Sequence, residues 1–259
     1  MRIAVAGKGG AGKSTIAGTM ARIVARSGTP VLALDSDLLP GLSFSLGSGP
    51  QPDVPPLQQA ARRDEAGRWG WCAGIDAATA AQRFAVDAPD GVRLLQRGKT
   101  GREGSHPVTA AGKAFWEVAH GLVDAPEFRD WTLIGDLPAG PHQIARDWAP
   151  YAETYVVVVL ASVQSALTAR RVARLARLQT PHAEVLFIAN RVGAQRDVGH
   201  VERLVGESVF ATIPADAGVA AAERMGIAPI DHVPDAPAIL AVQELVARLA
   251  ERPARHARA

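Results

Sequence analysis

One stretch near the start of the chain, Gly7-Lys8-Gly9-Gly10-Ala11-Gly12-Lys13-Ser14-Thr15, limits the folds open to it more than any other. It satisfies the phosphate-loop pattern GxxxxGK[ST] at Gly7, Gly12, Lys13 and Ser14. The flanks supply the context that the pattern needs. Ile3-Ala4-Val5-Ala6 is a short apolar run suited to a buried strand, and Ile16, Met20, Ile23 and Val24 recur at helical spacing. The order strand, glycine loop, helix is therefore expected.

Each residue type in the loop has a physical task. A triphosphate is a dense cluster of negative charge, and glycines let backbone N–H groups approach it without side chains in the way. The start of the following helix adds unpaired donors and the positive end of its dipole. Residues Gly7 to Thr15 are the expected nucleotide contacts: Lys13 holds the β and γ phosphates and the Ser14 hydroxyl reaches Mg²⁺. Only four lysines occur in the chain, against 24 arginines, and two of them, Lys8 and Lys13, lie in this loop.

Further apolar runs lie at Val31 to Leu34, Val92 to Leu95, Trp131 to Gly135, Tyr155 to Leu160, Val185 to Ala189 and Val209 to Ile213, with helical patterns between most of them. Continuous apolar runs alternating with helices predict a doubly wound, mostly parallel α/β sheet covered by helices on both faces. Its ligand site belongs at the carboxyl ends of the strands. A length of 259 residues suits one domain, expected over 1–250 with a divergent insert at about 48–130, a loop from Gly47 to Pro56, and a basic, disordered tail at 251–259.

Strand ends then nominate a second tier of residues. Asp35-Ser36-Asp37 follows the second run, Ile134-Gly135-Asp136-Leu137-Pro138-Ala139-Gly140 closes the fourth, and Ala189-Asn190-Arg191 and Ile213-Pro214-Ala215-Asp216 close the last two. Acids at such ends face the ligand, although a turn or helix cap uses the same residue types.

The form GKGGxGKS, with Lys8 as well as Lys13, resembles the deviant P-loop of the MinD, ParA, ArsA and nitrogenase iron protein group of dimeric ATPases. That resemblance implies a homodimer closed by ATP, in which Lys8 reaches the partner subunit's phosphates much as an arginine finger does. It implies catalysis by Lys8, Lys13 and Asp37, with Asp37 in the first switch orienting the attacking water. Asp136, in the second switch, binds Mg²⁺ through water alongside Ser14 and Asp37, and the Pro-Ala-Gly segment moves when the γ-phosphate leaves. Asn190 hydrogen-bonds adenine, and Pro214 and Asp216 pack beside the base. The guanine-reading NKxD is absent, since the chain reads NRVG from Asn190.

Within that group the chain looks most like CooC-like accessory ATPases, which act on a client protein, across residues 1–47 and most of 131–250. It departs from them in the centre, where their CxC metal motif is missing: the only cysteine is Cys72. The same count excludes a disulfide framework. The alternative is a ParA-like positioning ATPase that binds DNA non-specifically through Arg170, Arg174 and Arg177, on one side of a predicted helix. The formal charge is only +2, and the tail's Arg252, Arg255 and Arg258 against Glu251 account for it, so the body is near neutral. A neutral body disfavours a protein built chiefly to coat nucleic acid or anionic lipid. No apolar run approaches membrane-spanning length, and the ending ERPARHARA has no apolar stripe to insert into lipid. A cytoplasmic ATPase, slow and switch-like, is expected.

Overall fold

The seven apolar runs are consumed by one sheet, because each is too apolar to leave either face in water. In a computed structural model of the chain, residues 1–38, 41–50, 56–98 and 106–252 are described. The strands are β1 (Arg2–Gly7), β2 (Val31–Asp35), β3 (Ala61–Arg63), β4 (Trp69–Trp71), β5 (Val86–Asp87), β6 (Arg93–Gln96), β7 (Thr132–Asp136), β8 (Thr154–Val159), β9 (Glu184–Val192) and β10 (Val209–Pro214). Eight of them form the main sheet in the order β10-β9-β8-β1-β7-β2-β6-β5. All neighbours run parallel except the β5–β6 pair. The doubly wound, mostly parallel fold is as expected. The antiparallel β5 and the separate β3–β4 hairpin had no visible signal, since two or three residues are too few to show a period.

Alternate residues of β1 serve opposite faces: Ile3 and Val5 join one apolar cluster, Ala4 and Ala6 the other. Helices α1 (Lys13–Arg26) and α9 (Pro237–Ala250) cover the first face. The second is covered by α3 (Ala77–Phe84), α4 (His106–Gly121), α5 (Val163–Gln179) and α6 (Gln195–Val205). Among the described residues the remaining α-helices are the short α2 (Leu42–Leu46), α7 (Ala217–Met225) and α8 (Pro229–His232). Strand β1 is central, so the loop leaving it opens into the crevice where the strand order reverses.

Trp71 packs against a buried cluster; Trp116 is half-buried, lies tilted against the His120 ring and donates to the Arg146 carbonyl at 3.2 Å. One detail differs from the sequence reading. Arg252, assigned to the disordered tail, pairs with Glu184 and lies over the Phe210 ring. Residues 253–259 of that tail, and 51–55 of the expected Gly47 to Pro56 loop, lie outside the described residues.

Candidate functional site

The glycine loop is pressed against the ends of its neighbouring strands. A Cβ on Gly7, paired with Val158 of β8, would come within 2.5 Å of the Val158 carbonyl oxygen. Gly12 caps α1 with φ 92°, and a Cβ there would lie 2.4 Å from Asn190 Nδ2. Only glycine meets both demands at position 12, left-handed backbone and close approach. Asn190 Nδ2 occupies that space and donates to the Ala11 carbonyl at 2.7 Å, while its Oδ1 accepts from Arg191 N at 2.9 Å. Gly140 N, beyond Asp136, donates to the Gly7 carbonyl at 3.0 Å. The expected second-switch segment thus touches the loop directly.

Parallel pairing of β2 with β7 sets Asp35 opposite Asp136 at the foot of the loop. Both are buried. Burial, with Asp136 adding repulsion, pushes the Asp35 carboxyl up to about 8. Burial also pushes Asp136 up to about 6, although a hydrogen bond from Ser14 and the charge of Lys13 act the other way. Asp35 is tied by Asp37 N at 3.1 Å and Gln96 Nε2 at 3.2 Å. Asp136 Oδ1 is buried with no hydrogen-bond partner. Two buried acids with an orphan oxygen beside a serine hydroxyl make a site short of positive charge. A hard divalent cation takes such oxygen donors, so Ser14, Asp136 and the half-buried Asp37 fit Mg²⁺. Among the described residues, no group of three or more His, Cys, Asp or Glu side chains is placed to hold a metal ion by itself.

On the other side of the loop, between α1, α7 and α9, opens a cavity of about 780 Å³. Thr15, Asn190, Arg191, Pro214, Asp216 and Glu223 are among the residues that line it. The fold therefore brings the end of the loop together with all three residues expected beside a base. Its size suits a nucleoside. Asp216 also caps α7, accepting from Gly218 N at 2.8 Å and Val219 N at 3.0 Å. Lys8 is half-buried, and its carbonyl accepts from Ala11 N at 3.2 Å.

Several residues at the site had not been singled out. Glu223 accepts from the Thr15 hydroxyl at 2.5 Å and from Arg191 Nη2 at 3.2 Å. Gln143 Nε2 donates to the Ser36 carbonyl at 3.0 Å, and Ser36 Oγ donates to the Asp136 carbonyl at 3.0 Å, linking the two acid-bearing segments. Arg97 lies over the Trp148 ring at 4.7 Å, where Gly112 leaves room for it; burial lowers its pKa and the charge of Asp37 opposes that shift. The strand-end rule applied to Val92 to Leu95 points to Gln96 and Arg97; Glu223 and Gln143 carry no such signal.

Comparison with known proteins places the chain in a family. The family described as the CobQ/CobB/MinD/ParA nucleotide binding domain matches residues 3–230. The carbon monoxide dehydrogenase accessory protein CooC of Rhodospirillum rubrum is 27% identical over 245 residues, covering 90% of this chain and 91% of that protein. Among solved structures, the cell division ATPase MinD of Pyrococcus furiosus superposes with a TM-score of 0.70 at 24% identity, over 96% of this chain and 98% of that one. The septum site-determining protein MinD of Pyrococcus horikoshii, complexed with Mg-ADP, also gives 0.70, at 22% identity over 100% and 99%.

Proposed function

The chain belongs to the CobQ/CobB/MinD/ParA nucleotide-binding family, and from that premise we propose that it is a Mg²⁺-dependent ATPase acting as an ATP-gated homodimer on a client protein, in the manner of an accessory ATPase. The observation that carries this reading is the abutment of Lys13 and Ser14 on buried Asp136 with its orphan oxygen, on one side of a loop whose other side opens, at Thr15, into a nucleoside-sized cavity. Likeness to CooC supports the accessory role.

The loop backbone and Lys13 bind the phosphates, and Thr15, Asn190, Pro214 and Asp216 enclose the nucleoside. Ser14 and Asp136, with Asp37, hold Mg²⁺, which when bound offsets phosphate charge that the loop alone leaves uncompensated. Asp37 orients the attacking water. Lys8 reaches the phosphates held by a second copy. On phosphate release the Asp37 and Asp136 segments relax together, because Ser36 and Gln143 couple them.

Lys13→Ala is expected to abolish ATP binding, and Asp37→Ala to bind ATP without hydrolysing it. Light scattering of Asp37→Ala should give twice the monomer mass with ATP and Mg²⁺, and the monomer mass with ADP. An unchanged mass in every nucleotide state sinks the dimer; hydrolysis that survives Lys13→Ala sinks the site. A DNA-binding positioning ATPase is the second reading, favoured by arginines of α5 that form no ion pair among the described residues. Exposed leucines beside them weigh against it.

A further inference from the structure

Helix α5 carries no acidic residue in its 17 positions. Four arginines, Arg170, Arg171, Arg174 and Arg177, line a groove of about 490 Å³ between it and the end of α6. Only Arg177 is compensated, by a two-pronged pair with Glu207 at 2.9 and 2.6 Å. Arg170, Arg171 and Arg174 are exposed and form no ion pair among the described residues. With a formal charge of +2 for the whole chain, this groove is a local concentration of positive charge on a nearly neutral body. Nothing in the folding of the helix requires it, since the inward face of α5 is made by Ala166, Ala169, Val172, Ala173 and Ala176.

The outward face is not purely basic. Val163, Leu167 and Leu178 are 55%, 50% and 63% exposed. At 100° per residue they fall with the four arginines inside an arc of about 120°. A phosphate backbone would satisfy the arginines and leave this apolar surface in water. An amphipathic helix that presents carboxylates and apolar side chains on one face satisfies both. The same α5 packs on the turn Ile144–Arg146, which lies in the segment beyond Asp136, so an occupant of the groove sits one packing layer from the nucleotide switch.

We infer that the α5 groove, with the outward face of the helix beside it, is the docking surface for an acidic amphipathic helix of the client protein, its carboxylates on Arg170, Arg171 and Arg174 and its apolar residues on Leu167 in the groove and on Val163 and Leu178 beside it. The inference rests on the client-directed reading above for the identity of the occupant. Its test does not depend on hydrolysis. A fluorescent synthetic amphipathic helix with glutamates and leucines on one face is titrated with the full chain and followed by anisotropy, beside a glutamine-for-glutamate version and a labelled DNA duplex. The glutamate peptide should bind, the glutamine peptide should bind about tenfold more weakly, and the Arg170→Glu/Arg174→Glu double variant should lose about tenfold. Leu167→Ser/Leu178→Ser should weaken the same peptide several-fold. Circular dichroism and an unchanged urea midpoint verify that these surface variants are folded. Indifference of peptide binding to either double substitution overturns the inference, as does tighter binding of the duplex than of the peptide. Peptide binding that follows both substitutions in a chain that does not hydrolyse ATP keeps the groove and removes the switch.

Discussion

The two ends of α1 handle buried charge in opposite ways. At its C-terminal half, Arg22 is 3% exposed and pairs with both Asp90 and Asp231 while donating to the Leu46 carbonyl at 2.7 Å. Arg26 joins the same two acids. These hydrogen bonds and charges raise the Arg22 pKa and lower that of Asp90, overcoming the burial that opposes each shift. At its N-terminal end, Lys13 and Ser14 face two acids that repel each other, and burial drives both pKa values up. One end is a finished lock that fastens α2, α8 and the turn at Asp90 to the loop helix. The other is unfinished without a cation and an anion from outside. Electrostatic completeness separates the part of α1 that holds the fold from the part that awaits a ligand.

Substitution can break this contrast at either end. Arg22→Met should cost the most, about 3 kcal/mol, the low end for removing one partner of a buried pair because Arg26 remains beside Asp90 and Asp231. Urea unfolding with an unchanged midpoint would mean that the network is decorative. Next comes a pH effect in the nucleotide-free, Mg²⁺-free protein. The folded state keeps a proton on Asp35 up to about pH 8, whereas an unfolded aspartate releases it near its ordinary value of 3.8. Unfolding therefore releases a proton in that window, and stability falls as pH rises through it. Asp35→Asn should flatten this decline and raise the urea midpoint at pH 8 but not at pH 4. Mg²⁺ with ADP should shrink the decline in the unaltered protein; an equal slope with and without them would show that the acids do not meet the cation. At the lock the sign reverses: Asp90 has a depressed pKa, so its pairing contributes above the ordinary aspartate range and is lost as pH falls through its lowered value. Smallest of all, Arg26→Ala should cost about 0.5 kcal/mol, since that side chain is 43% exposed and water screens its pairs.

How much of this was legible before the structure depended on how local each signal is. The loop from Gly7 to Thr15 was readable because its donors, glycines and flanking periodicities are contiguous. Asp35, Asp37 and Asp136 were found by a rule that reads only the ends of apolar runs. Their ranking was not readable. The resemblance gives a role to Asp37 and none to Asp35, yet Asp35 is the fully buried one, because the register of β2 on β7 places it against Asp136. Arg22 carries no local signal, since its two acids lie 68 and 209 positions away. Glu223 reaches Thr15 across 208 positions, and no pattern within α7 marks it. The arginines of α5 were visible as a face, but whether carboxylates covered them was not.

The sequence by itself determined the α/β class, the phosphate loop and the strand ends that carry acids, because periodicity and motif chemistry act over a few residues. Tertiary structure alone decided which charges are compensated and which are left waiting. Compensation depends on distances between segments far apart in the chain, and on the water removed when they pack, and neither quantity is written in local order.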